Sequence, residues 1–195
     1  MTTSVQSVQH KPLIHYLLPL PERFRDVIHV GVGVLFLALL AQVRLELGAV
    51  PLTGQTLGVV LLAAAYGWRK GTLTMLVYLV VGASGLPVFA AGASGLAVLR
   101  GTTAGYLVGF VVAALLVGYL AERGWDKTIW LTACTMVLGN LVIYVFGLSW
   151  LRQFAPDWTT TLAWGLTPFL VGDGLKIAVA ALLLPTAWRL LGRAR

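Results

Sequence analysis

Six stretches of this chain run for the length of a bilayer crossing with almost no charge: about residues 27–45, 50–67, 71–90, 101–121, 129–151 and 162–191. A helix needs roughly 20 consecutive apolar residues to cross about 30 Å of hydrocarbon. Inside lipid every backbone N–H and C=O must find its partner within the protein, so each run is expected to be helical. The expected fold class is an all-α membrane protein with six transmembrane helices in one bundle. Hydrophobic residues make up 58% of the chain and charged residues 11%, a balance outside the range of water-soluble domains. The 195 residues leave no room for a separate soluble unit, so residues 1–195 are read as a single integral-membrane domain. The N-terminal residues 1–26 include "HKPLIHYLLPLPERFRD", which mixes Leu, Tyr and Pro with basic residues and either lies on the membrane surface or is disordered. The first apolar run lacks a small-residue cleavage site and is followed by five others, which makes it a span and not a cleaved signal. Cys134 is the sole cysteine, so no internal disulfide or thiolate metal cluster is available.

Orientation follows from the lysines and arginines, which are retained on the cytoplasmic side near span ends. Lys11, Arg23, Arg25, Arg69, Lys70, Arg123, Lys127, Arg189, Arg193 and Arg195 fall on one side of the expected topology. Only Arg44, Arg100 and Arg152 fall on the other. Both termini are therefore expected in the cytoplasm, with the protein in the inner (cytoplasmic) membrane. The net charge of +7 is accounted for by this asymmetry and by attraction to anionic membrane lipid, without nucleic acid. Trp68, Trp125, Trp130, Trp150, Trp158 and Trp188 sit near expected span ends, as interfacial anchors do.

The remaining basic residue, Lys176, lies inside the sixth run, in "TPFLVGDGLK", three residues after Asp173. That spacing puts both side chains on one helix face, where they can neutralise each other. One reading is a buried structural ion pair. The other is a ligand site, because ionisable residues at membrane depth generally face a cavity or a partner. Gly172 and Gly174 flank the acid and Pro168 precedes it, a pattern that weakens the helix where the charges lie and favours the second reading. Counted from Trp164 along a continuous helix, Lys176 would lie ~18 Å into the membrane. A ligand arriving from outside would first meet Arg100, suited to a carboxylate; a snorkelling interfacial arginine is the competing account.

Asn140 and Tyr144, spaced i, i+4 in "GNLVIY", can face one cavity or can bond neighbouring helices. "VPLTGQT", residues 50–56, adds Thr53 and Gln55 as candidate ligand contacts in a lid, against the plainer reading of a turn and helix cap. "GASG" occurs twice between Gly82 and Gly95, so Ser84 or Ser94 could be the nucleophile of an intramembrane serine hydrolase. Such a serine needs a positioned base, yet His10, His15 and His29 all lie in the N-terminal tail or the cytoplasmic half of the first span. Small residues that allow close helix packing explain the repeat better. A structural or regulatory membrane subunit without a ligand is the third class.

The blocks "VPLTGQTLGVVLLAAAYG", "GASGLPVFAAGASG", "GTTAGYLVGF", "GNLVIYVFGLSWL" and "PFLVGDGLK" occur in that order between Val50 and Lys176. In this they resemble the BioY family, the biotin-specific substrate-binding components of energy-coupling factor transporters. Where that family usually reads GPTGGY, this chain has "GTTAGY", with Thr102 and Ala104 replacing a Pro and a Gly. The resemblance implies a carrier that binds biotin in a pocket reached from outside and capped by the loop between the first two spans. It further implies a transmembrane coupling protein and two ATPase subunits as partners, no catalytic residues, no metal and no cofactor. No GxxxxGK[ST] phosphate loop occurs in the chain. On this reading Asp173 accepts a ureido N–H, Lys176 donates to the ureido oxygen, Asn140 and Tyr144 add hydrogen bonds, and Arg100 meets the carboxylate. Lys176 and Arg100 can also exchange roles. Ala38 and Ala41, with Gly31 and Gly33 before them, are the small residues of the first span that could meet the coupling protein or pack internally.

Overall fold

The computed structural model describes residues 12–17, 22–46 and 49–193. Expectations that fall on residues 1–11, including His10 and Lys11, and on Arg195 lie outside the described residues. The elements are α1 (Ile14–Leu17), α2 (Glu22–Gln42), β1 (Arg44–Leu45), β2 (Leu52–Thr53), α3 (Gln55–Ala83), α4 (Ala104–Ala121), α5 (Ile129–Leu151), α6 (Trp158–Gly165) and α7 (Leu170–Arg193), joined by short turns of 3-10 helix. The chain is mostly helical, and among the described residues four segments, Phe24–Gln42, Ala104–Ala121, Ile129–Phe154 and Trp158–Leu191, are long and apolar enough to cross a membrane.

The second and third apolar runs are the two arms of α3, which meet at Gly67, one residue before the connection expected at 68–70. The element is folded back on itself. Gln55 Nε2 donates to Tyr78 Oη at 2.7 Å, although 23 residues of straight helix would separate them by about 35 Å. The fold point is Gly67, with φ +78° and ψ 173°, a backbone conformation open only to glycine. The reversal therefore needs no loop residues. Gly118 of α4 lets this corner sit against it, since a Cβ there would lie 2.4 Å from Trp68 N. Glu122 Oε1 accepts from Trp68 N at 3.2 Å, satisfying a backbone donor at the start of the second arm.

Two other boundaries move. The first span ends at Gln42, and the chain turns into a small antiparallel hairpin pairing Arg44 with Thr53 and Leu45 with Leu52. The last run is interrupted at residues 166–169, between α6 and α7. Pro168 lacks an N–H and disfavours helix at Thr167, while Tyr106 Oη takes the Gly165 carbonyl at 2.8 Å. The helix weakness expected around Gly172 and Gly174 is thus found several residues earlier, and α7 is regular through both glycines. The rise of ~18 Å from Trp164, which assumed a continuous helix, does not apply; Lys176 lies six residues into α7, ~9 Å from its start.

Polar contacts define the two ends of the bundle. At one end Lys70 Nζ pairs with Asp26 at 2.6 Å, Trp188 Nε1 donates to Asp126 Oδ2 at 2.6 Å, and the Tyr16 ring meets Trp188 edge-on at 5.7 Å. The first and last described helices therefore meet at this end, where Leu13 and Ile14 are buried. At the other end the side chain of Gln42 clasps the loop after α3, donating to Phe89 O at 3.1 Å and accepting from Gly92 N at 3.1 Å. Between the ends α3, α4 and α5 pack on one another around Val59, Tyr78, Val117, Met136 and Ile143. Val27, Leu35 and Leu39 of α2 and Val171, Leu175 and Leu182 of α7 remain exposed, an apolar outer surface suited to lipid.

Candidate functional site

A cavity of about 250 Å³ opens near the Gln42 end of the bundle. One wall is the stretch Val50, Pro51, Thr53, Gln55 and Thr56; the loop before α4 adds Phe89, Ala93, Val98, Gly101, Thr102 and Thr103. Tyr106, Leu107 and Phe110 of α4, Ile143 and Tyr144 of α5, Phe169 and Lys176 complete it. The lining is mostly apolar with a few fixed polar groups, the usual composition of a small-metabolite site.

The polar groups form two chains. In the first, Lys176 Nζ donates to Thr56 Oγ1 at 2.8 Å and to Asp173 Oδ1 at 3.2 Å. The Tyr144 hydroxyl donates to Asp173 Oδ2. An ammonium has three donors, so one remains for the cavity that Lys176 lines. Asp173 lies in the first turn of α7, where a carboxylate is favoured by the helix dipole. It is 5% exposed and stands behind Lys176 and Tyr144, outside the cavity lining. In the second chain Thr53 Oγ1 donates to Gln55 Oε1 at 3.1 Å, Gln55 Nε2 donates to Tyr78 Oη, and Tyr78 Oη donates to Val88 O at 2.8 Å. The Gln55 amide is thereby held in one orientation beside the opening.

Of the residues singled out in the sequence, Thr53, Gln55, Tyr144 and Lys176 line the cavity and Asp173 touches two residues of this site. Asn140, one turn before Tyr144 on α5, is buried but does not line it. Arg100 is exposed in the loop between the lining residues Val98 and Gly101 and does not itself line the cavity. In "VPLTGQT" Thr53 Oγ1 also accepts from Gln55 N at 3.2 Å, closing a turn before α3, whose N-cap Gly54 has no side-chain cap. Ser84 Oγ donates to Val81 O at 2.8 Å at the end of α3. Sequence reasoning missed Thr56, Tyr78, Phe89, Thr102 and Tyr106. Thr56 adjoins Gln55 and could have been found; Tyr78 reaches the site only through the fold at Gly67.

A family model described as the BioY family matches residues 8–193. The biotin transporter BioY of Rhizobium etli is 38% identical over 154 residues, covering 75% of this chain and 82% of that one. The biotin transporter BioY of Thermotoga maritima is 37% identical over 159 residues, covering 82% of this chain and 93% of that one. Among solved structures, the S-component for biotin from an ECF-type ABC transporter superposes with a TM-score of 0.77 at 20% identity, over 86% of this chain and 93% of that chain. That likeness shows a common fold.

Proposed function

The chain belongs to the BioY family, and from that premise we propose that it binds biotin and takes it up across the membrane as the substrate-binding component of an energy-coupling factor transporter. It is a multi-pass membrane protein. The named relatives are transporters and not enzymes, which sets the serine-hydrolase alternative aside.

The observation that carries the reading to this chain is Lys176, a lysine braced by Asp173 and Thr56 at the wall of a mostly apolar cavity. A partly buried ammonium with a spare donor gains from a ligand acceptor that completes it. Biotin supplies one in its ureido oxygen, and its thiophane ring and valeryl stem suit Phe89, Leu107, Phe110 and Ile143. Asp173 holds Lys176 and Tyr144 in position from behind the wall, fixing the two groups that face the ligand. Thr53, Gln55 and Tyr144 add neutral hydrogen bonds from the cavity wall, and Arg100, exposed beside the lining residue Gly101, is assigned to the carboxylate. A ligand lacking the ureido group would leave these groups unpaired, which gives steep selectivity.

The single membrane domain of residues 1–195 crosses the cytoplasmic membrane six times, with the two arms of α3 counted separately and α6 with α7 as one. The end holding Lys70, Arg123 and Lys127 is cytoplasmic, together with both termini, as the basic-residue asymmetry supports. The cavity then opens outward. A transmembrane coupling protein and two ATPase subunits are the partners that this function requires. Isothermal titration of detergent-purified protein with biotin tests the reading: saturable one-site binding supports it, and absence of binding by folded protein refutes it.

A further inference from the structure

Thr102 lines the cavity from the loop before α4, and its Oγ1 donates to the backbone carbonyl of Ala49 at 2.9 Å. Ala49 begins the stretch that includes Val50, Pro51 and Thr53, which also line the cavity. This hydrogen bond spans 53 residues and joins two separate segments of the lining. The segment that carries Thr102 is itself fixed: Trp150 Nε1 of α5 holds the adjoining Gly101 carbonyl at 2.9 Å, and Tyr106, one turn on, is anchored to Gly165. The other segment is held by the short β1–β2 pairing, by Gly54 N on Val43 O at 2.8 Å, and by Leu52 against Gly172. A hydroxyl on a fixed wall that grips a carbonyl on a lightly held one is placed to set how often the opening widens.

We propose that Thr102 is a positioning residue for ligand retention, in which its hydroxyl latches the 49–53 stretch across the outer opening and so limits the rate at which ligand leaves. The proposal deepens the biotin reading and rests on it for the identity of the ligand. Thr102→Val removes the donor at nearly constant shape, and Thr102→Ser keeps it. A neutral hydrogen bond of ordinary net strength corresponds to a roughly five-fold change in rate when it exists only in the closed state.

Two measurements separate the latch from the ligand. In the first, labelled biotin is chased from detergent-purified protein. Thr102→Val should release it about five-fold faster than the parent, and Thr102→Ser at the parental rate, with the melting temperature of ligand-free Thr102→Val lowered by no more than about 2–4 °C. The second uses no biotin. In a Cys134→Ser background with Ile143→Cys, a 1%-exposed position on the cavity wall, a membrane-impermeant methanethiosulfonate should react about five-fold faster when Thr102→Val is added, and no faster with Thr102→Ser. Faster labelling in a protein that binds no biotin would keep the latch and overturn the ligand. Release and labelling rates that stay within two-fold of the parent in Thr102→Val would overturn the latch, as would equal acceleration by Thr102→Ser.

Discussion

Replacing Asp173 by Asn tests the charge around which the cavity is organised. The carboxylate receives Lys176 on Oδ1 at 3.2 Å and the Tyr144 hydroxyl on Oδ2. Asparagine preserves the shape and one acceptor for Tyr144 but gives Lys176 no counter-charge, leaving Thr56 Oγ1 at 2.8 Å as its protein acceptor. At an effective dielectric constant of about 20, unit charges 3.2 Å apart attract by roughly 5 kcal/mol. Removing one member of a buried pair costs about 3–5 kcal/mol once desolvation is included. The Lys176 side chain is 15% exposed and can relax toward water, so the lower end, about 3 kcal/mol, applies. Thermal unfolding in detergent should therefore shift down by roughly 6–12 °C. Biotin affinity should fall by about 1.5–3 kcal/mol, ten- to 150-fold in Kd, because the ligand hydrogen bonds are charge-assisted. The double variant Asp173→Asn/Lys176→Met removes the stranded charge and should recover much of the stability without recovering affinity. A folded Asp173→Asn protein with the parental Kd would refute the assigned role.

Gly67→Ala should lower the unfolding free energy by more than about 2 kcal/mol, because φ is +78° and the new Cβ would lie 2.3 Å from Glu122 Oε1; an unchanged melting temperature would contradict the loop-free reversal. Trp188→Phe deprives buried Asp126 of an indole donor at 2.6 Å and should cost about 1–3 kcal/mol, read from the same melting curves. Asp157 caps α6 by accepting from Thr160 N at 2.6 Å, and that backbone hydrogen bond holds its carboxyl below the ordinary range. A depressed folded value means the stabilisation is present above the unfolded pKa of about 3.9 and is lost as pH falls through the folded one. Asp157→Asn retains a capping acceptor and should melt with a shallower decline than the parent as pH is lowered below about 4; parallel curves would remove the cap from the acid response.

How far the sequence revealed this arrangement depends on the range over which each contact acts. Asp173 with Lys176 and Asn140 with Tyr144 are separations of three and four residues, and helical geometry alone puts each pair on one face. Charge placement puts Arg100 in the loop after the third apolar run, and it is exposed there beside the lining residue Gly101. The corner at Gly67 was not legible because "YGWRK" reads equally as a polar turn between two helices; what separates the cases is a backbone angle that glycine permits but does not announce. Tyr78 and Thr102 escaped for the same kind of reason. Their partners, Gln55 and Ala49, are 23 and 53 residues away and become neighbours only after the chain has folded. Pro168, Gly172 and Gly174 together signal a weak helix, and of the three only Pro168 lies in the interruption, the helix being continuous through both glycines.

The central claim, that this cavity holds biotin through Lys176, is met most directly by the structure of the purified protein with biotin bound. The account predicts ligand density between Tyr144, Phe110 and Thr53, with the ureido oxygen within hydrogen-bonding distance of Lys176 Nζ. Biotin bound elsewhere, or seated in the cavity with Lys176 turned away from it, would contradict the claim.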